Sequence, residues 1–575
     1  MAELPLKHEG VEDENVHLFL FVHGLWGNPN HMSTIEKAVK KSLAPVSPER
    51  IVTIKPSSFR FWKTYDGIQR CAENTIADLF YEIETLKLKN KSHVTKISII
   101  GYSLGGLISR YVVGSLYELG FFEEVSPVFF TTFATPHIGV HFFKDAAFYK
   151  IANGMGKRLF GKTGFQLFLG DSKSLLVDMT RPESCYIKGL RLFEKRILLA
   201  NIKNDRTVPF YTSFITDYSP FDSLNSINIQ YFEGTPPAKV NGITVWPKFV
   251  DLHRSYKINS PDVRHRNVQE ATSILRSNSI IRYTLLLFAA LVLFPFYLPL
   301  IICLSFYVSG YSILKVNITS GPDIVGHWAA VRQSVFHGGP VDTEHVEQGD
   351  SRRQQRKKLS RHESFKGDTS TLTENAMEKM LAAEERFAND PAEMIEEGYA
   401  DDDDDDDDDD DKDGKPLSGA QQKEPLKNSE ENQHPWASTS DDSSSDGESS
   451  ERTDVEKRQK SLLPIILKRK TKIEIPYSAY DEAIKRNKGL LSMNNSTKIP
   501  LFEEKVRLPF SKDQLTIINN LNELGWIKIA VFHDSFNAHD SIVARRGDIR
   551  NPKGTCTIFF WASILRNHVL ENEAD

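Results

Sequence analysis

The chain has 575 residues and a net charge of −6, but eleven consecutive aspartates, Asp401 to Asp411, hold −11 of that, so the remainder carries +5. The acidity therefore belongs to one tract, and no basic–aromatic patterning suggests nucleic-acid binding. Four cysteines (Cys71, Cys185, Cys303, Cys556) show no paired spacing, and the N-terminus lacks a basic-then-apolar leader, which suits a cytosolic, reducing setting.

The first predicted element is a strand over 16–22, ending in His23-Gly24-Leu25-Trp26-Gly27. A second strand over 97–100 runs into Gly101-Tyr-Ser103-Leu-Gly105, and residues 106–119 carry apolar side chains at roughly helical spacing. Strand, tight turn and helix are the context in which G-x-S-x-G acts as a nucleophile elbow. The glycines let the chain turn sharply and lift the Ser103 hydroxyl out of the sheet edge. Acyl transfer also needs donors for the oxygen that becomes negative in the transition state. In this fold they come from the residue after the nucleophile and from an H-G-type turn after an early strand. The candidates are the backbone N–H groups of Leu104 and Leu25. A strand over 128–133 follows, leading into Ala134-Thr-Pro-His137. Because the order in this fold is serine, acid, histidine, His137 reads as structural or pocket-lining. Asp171 and Asp178 lie in an amphipathic stretch and read as capping or solvated carboxylates. A strand over 196–202 precedes Asn204-Asp205, and an aspartate there can orient an imidazole, so Asp205 is the candidate acid.

These runs, together with Phe168-Leu-Gly-Asp171, Leu175-Leu-Val-Asp-Met179 and Ala200-Asn-Ile-Lys-Asn-Asp205, resemble the fungal lipase family of serine esterases, which includes yeast lipid-droplet phospholipases and acylglycerol lipases. The resemblance covers about residues 15–260 and a piece near the C-terminus. It implies an α/β-hydrolase fold with a mostly parallel central sheet and lipid ester substrates; the serine–histidine–acid chemistry itself requires no metal or organic cofactor.

Residues 283–314 contain no charge, flanked by Arg276 and Arg282 before and Lys315 after. Such a stretch exceeds the roughly 20 residues a membrane helix needs. From about 341 to 460 hydrophobic periodicity fades into the basic cluster 352–358, the aspartate run and a serine–aspartate patch. Apart from a short helix expected over 373–387, this insert reads as disordered. Adjacent carboxylates lack the spacing of a formed calcium site, so the tract reads as a solvated linker. Folded sequence resumes near 461, with a helix over 511–524 and a strand over 526–532.

The family pattern places its histidine in an alanine–histidine turn far downstream, which here is Ala538-His539. His568 occupies the second histidine position of that pattern and His533 is nearer the strand end, so both remain alternatives. His253 and His265 lie in polar, loop-like surroundings. Ser103 and Asp205 precede the apolar segment and His539 follows it, so a working triad forbids an odd number of crossings. Two crossings would need roughly 40 apolar residues. A re-entrant hairpin broken at Pro295 and Pro299 is left, with arms 283–294 and 300–314 about 18 and 22 Å long.

The organisation expected is therefore residues 1–275 with the serine and acid, a membrane-embedded segment 276–320, a charged linker 341–460, and 461–575 with the histidine. The expected setting is the cytosolic face of the endoplasmic reticulum membrane or a lipid droplet. Competing readings are an acyl-protein or acyl-CoA thioesterase and an inactive hydrolase scaffold tethered to lipid.

Overall fold

The computed structural model describes residues 14–143, 147–172, 174–258, 294–338, 472–492, 498–535 and 537–574. The aspartate run, the basic cluster, the helix expected over 373–387, His265 and most of the first hairpin arm lie outside them.

The central sheet has eight strands in the order β2-β1-β3-β4-β5-β11-β9-β6. They are β1 (Glu14–Val22), β2 (Arg50–Ile54), β3 (Ser92–Tyr102), β4 (Ser126–Phe133), β5 (Lys195–Asn201), β6 (Ile227–Tyr231), β9 (Phe249–Lys257) and β11 (Ile527–Val531). The six from β2 to β11 are parallel, while β9 and β6 extend the sheet antiparallel. A small second sheet joins β7 (Ala238–Val240), β8 (Ile243–Val245) and β10 (Ile473–Glu474). The parallel strands are continuous apolar runs because helices cover both faces. One apolar layer includes Leu18, Leu20, Ile97, Leu198 and Trp526; the opposite one includes Phe19, Phe21, Ile100, Leu199 and Trp561.

The helices that frame the site are α1 (Ser33–Leu43), α2 (Ile68–Asn90), α3 (Leu104–Glu118), α4 (Ala147–Leu159), α5 (Gly161–Leu167), α6 (Phe294–Ile318), α7 (Ile324–Val331), α8 (Lys512–Asn522), α9 (Ala538–Ser541) and α10 (Pro552–Ala574). The chain goes from β1 out to β2 and returns to β3 on the other side of β1. That reversal opens a crevice at the carboxyl ends of β1 and β3, where open α/β sheets bind ligands. The mostly parallel sheet expected from the motifs is the observed one. Strand β11 comes from the far C-terminal stretch yet lies between β5 and β9, with Val531 in register with Asn201.

Two expectations change. His253 lies in β9, not in a loop. The break expected at Pro295 and Pro299 is absent, because both prolines lie within α6, which runs on to Ile318. Each proline removes one backbone N–H from the helix, and the helix continues past both. Among the described residues no helix is long and apolar enough to cross a membrane. Past α6, Trp328 of α7 stacks on Phe80 of α2 with centroids 5.3 Å apart.

Candidate active site

Ser103 sits between the end of β3 and the start of α3, at φ +55° and ψ −126°. A non-glycine residue rarely adopts positive φ, and doing so costs on the order of 1–3 kcal/mol, so surrounding packing must hold it. The packing is tight enough to require glycine: a Cβ on Gly105 would lie 2.1 Å from the Val22 carbonyl oxygen. One on Gly24 would lie 2.8 Å from Ser103 Cβ and 3.3 Å from its Oγ, so the turn after β1 passes directly over the nucleophile. Leu104 is the first residue of α3, and its N–H has no acceptor within the helix. Leu25 follows Gly24 on the overlying turn. These are the two positions expected for the oxyanion donors.

His539 lies on α9, a single short turn held by the Asn537 side chain. Its Nε2 is 3.0 Å from Ser103 Oγ and its Nδ1 is 2.9 Å from Asp205 Oδ2. The neutral tautomer that satisfies both contacts carries its proton on Nδ1, donates it to the carboxylate, and accepts from the serine hydroxyl. Both side chains are buried, at 7 % and 3 % exposure. Asp205 Oδ1 accepts from the backbone N–H groups of Thr207 (3.1 Å) and Val208 (2.7 Å). Its Oδ2 also accepts from Asn201 Nδ2 at 3.0 Å. Four donors therefore surround this carboxylate and hold it in place.

The other histidines are elsewhere. His568 of α10 bonds Glu194 at 2.6 Å. His533 is buried, with one ring nitrogen 3.2 Å from Asn201 Oδ1 and the other 3.0 Å from Thr557 Oγ1. Burial pushes its imidazole down to about 3, so it is neutral at physiological pH. His137 is fully buried against Thr132 Oγ1 at 3.0 Å, with burial driving its imidazole well below the ordinary range. His23 is likewise neutral, pushed by burial down to about 3, and stacks on Phe59. Asp171 caps a turn by accepting from the Leu175 N–H, and Asp178 pairs with Arg181.

Sequence reasoning missed the asparagines that join the two distant halves of the triad. Asn201 Nδ2 donates both to Asp205 and to the Ala538 carbonyl, each at 3.0 Å. Asn204 Nδ2 donates to the Ser535 carbonyl at 2.9 Å, and its own carbonyl accepts from the Ala538 N–H at 3.2 Å. Tyr102 adds a bond from its hydroxyl to the His539 carbonyl at 3.1 Å. Both asparagines stood in the run Ala200–Asp205, but nothing local marks what they would bond.

A buried serine–histidine–aspartate chain at the carboxyl edge of a mostly parallel sheet defines the α/β-hydrolase class. Residues 12–217 match the family model described as "Putative serine esterase (DUF676)", so the resemblance drawn from the motifs is borne out over the stretch that carries Ser103 and Asp205. The chain is 30 % identical over 218 residues to "Putative lipase C4A8.10" of Schizosaccharomyces pombe, covering 36 % of this chain and 27 % of that protein. It is 31 % identical over 214 residues to "Putative lipase ROG1" of Saccharomyces cerevisiae, covering 34 % and 28 %. The match thus spans little more than a quarter of either yeast protein. Among solved structures, carboxyl esterase 2 of Tuber melanosporum aligns at 16 % identity over 32 % of this chain and 56 % of its own, with a TM-score of 0.22. Phospholipase PlaB of Legionella pneumophila aligns at 18 % over 35 % and 42 %, with a TM-score of 0.24.

Proposed function

We propose that this protein hydrolyses carboxylic ester bonds of glycerolipids or phospholipids through an acyl-enzyme, working at the cytosolic face of the endoplasmic reticulum or on a lipid droplet. The observation that carries the chemistry is the unbroken bond chain Ser103 Oγ, His539 and Asp205 at 3.0 and 2.9 Å. Ser103 Oγ attacks the ester carbonyl while His539 Nε2 takes its proton, and Asp205 stabilises the imidazolium. The carbonyl oxygen turns negative beneath the Leu104 and Leu25 amides. Collapse breaks the bond to the alcohol, which leaves with the proton from Nε2. Water, deprotonated by the same nitrogen, then adds to the acyl-enzyme and releases the acid. The names of the yeast relatives support lipid substrates. The outward apolar face of α6 supports a lipid-surface setting.

A fluorophosphonate probe tests the enzyme class: the wild type is labelled at Ser103 and Ser103→Ala is not. A folded wild type that resists labelling would favour the inactive scaffold. Lipid profiles of cells carrying wild type or Ser103→Ala then identify the ester class that accumulates. Accumulated acyl thioesters with unchanged glycerolipids would point to the thioesterase instead.

A further inference from the structure

Helix α6 is inside out. Over residues 302–318 it buries Ser305, Ser309 and Ser312, one stripe at helical spacing, and exposes Leu304, Phe306, Tyr307, Tyr311, Leu314 and Ile318. Tyr307 is 72 % exposed and Ile318 81 %, whereas a helix facing water turns its apolar side inward. The serines are occupied. Ser305 and Ser309 each donate at 2.7 Å to the carbonyl of Leu159, the last residue of α4, which lacks an intrahelical partner. Ser312 donates to Asp66 at 2.7 Å, and Lys315, the first charge after the apolar run, is also turned inward onto Asp66 at 2.9 Å. The outward face from 302 to 314 is therefore uncharged, and the sequence leading into the helix, 283–293, is uncharged too.

Counting protons gives the inner face a direction. Ser305 has one hydroxyl proton and gives it to Leu159, so in its 3.2 Å contact with the Tyr65 hydroxyl it accepts. The Tyr65 oxygen in turn accepts from Trp26 Nε1 at 3.0 Å. A chain of hydrogen bonds thus runs from Trp26 through Tyr65 and Ser305 to the accepting carbonyl of Leu159. Trp26 directly follows Leu25 and holds φ at +51°, so this turn needs outside support. That support is the short helix Phe61–Tyr65: the Phe61 N–H donates to the Gly27 carbonyl at 3.0 Å and the Trp26 N–H to Thr64 Oγ1 at 3.3 Å.

We infer that Tyr65 is a positioning residue that ties the oxyanion turn to α6, and that the outer face of α6 seats on a phospholipid surface, so that seating steadies the turn over Ser103. The occupant follows from chemistry: from 302 to 314 the face offers no charge and no exposed hydrogen-bonding side chain beyond the Tyr307 and Tyr311 hydroxyls and the Cys303 thiol, so it gains most from the apolar layer of a lipid surface. A bilayer or monolayer also accommodates the uncharged run before the helix, whatever its path. This inference rests on the hydrolase reading above.

The test uses the full chain, p-nitrophenyl butyrate as a soluble ester and phosphatidylcholine vesicles, with kcat expressed per fluorophosphonate-labelled Ser103. Wild type is expected to sediment with vesicles and to turn over the soluble ester several-fold faster when they are present. Removing an oxyanion donor outright costs about 10²–10³ in kcat, so loosening one by Tyr65→Phe should cost about tenfold, with KM unchanged and vesicle stimulation lost. Trp26→Phe cuts the same tie, so the double variant should lose no more than either single one. Leu314→Asp should abolish both sedimentation and stimulation. A purely structural role for Tyr65 would lower the melting temperature and the labelled fraction but leave kcat per labelled site intact, and would overturn the inference. So would additive losses, or a wild type that ignores vesicles and instead dimerises through this face. A wild type that is never labelled at Ser103 would fail the hydrolase reading itself.

Discussion

The two sides of the triad are held by different means. Ser103 is set by the backbone turn from strand β3 into helix α3, locked by glycine clearances against the end of β1 at Val22 and Gly24 that leave no room for a Cβ. His539 stands on a helix of four residues and is fixed by bonds to groups more than 300 positions away, Asn201, Asn204 and Asp205, and by the Tyr102 hydroxyl. The nucleophile is thus a product of backbone geometry and close strand packing, and the base a product of side-chain hydrogen bonds. A substitution beside Ser103 should act through the fold, whereas one in the asparagine network should act through catalysis in a fold that stays intact.

Asp205→Asn breaks the assembled side most severely. Donors approach both carboxylate oxygens, so an amide NH₂ at either position meets a donor with a donor. The imidazole then loses its tautomer and its counter-charge. The expected result is a fall in kcat of about 10⁴-fold, the size found when a triad acid becomes an amide. The melting temperature should change far less. Stopped assays with a soluble ester, alongside thermal melts, measure both.

Asn201→Ala should weaken the same side by less. It removes the donors to Asp205 and to the Ala538 carbonyl together, leaving acid and base in place but free to drift. Misplacement on the scale of 1 Å costs up to about 10²-fold, so a fall in kcat of between about 10- and 100-fold is expected, with KM nearly unchanged. If KM rose and kcat held, Asn201 would belong to substrate binding instead of to the triad.

This contrast also decides what could be read before the structure. Strands β1, β3, β4, β5 and β11 were legible because a strand covered on both faces is an apolar run of the right length. The antiparallel edge was not: β9 mixes Asp251, His253 and Arg254 into its register and so looked like a loop. The elbow and the acid turn were legible because G-x-S-x-G and a polar turn after a strand carry their own geometry. The choice of His539 over His533 and His568 rested on a family pattern, because nothing near any of the three reveals a partner over 300 residues away. Helix α6 was legible in composition and hidden in orientation. Only the positions of Leu159 and Asp66 show that its serines face the domain.

His533 offers the finest probe of the assembled side, because it orients Asn201 without touching Ser103. Its folded imidazole is pushed by burial to about 3 from an ordinary 6.5. Between those values the unfolded chain binds a proton that the folded chain refuses. Stability therefore falls as pH drops from 6.5 toward 3, by up to about 1.4 kcal/mol per pH unit for this one group, and is level above 6.5. His533→Gln keeps an N–H for Asn201 Oδ1, but has no proton to bind in this range. It should be somewhat less stable than wild type at pH 7.5 and lose stability less steeply on acidification, narrowing the gap by that amount per unit. The other buried histidines, His17 and His23 among them, are common to both proteins and cancel in the difference. Denaturant melts at half-unit steps from pH 7.5 to 4.5 read it directly. Parallel slopes for the two proteins would mean that His533 is charged in the folded state, which would place a positive charge behind Asn201 and change the electrostatics that Asp205 and His539 experience.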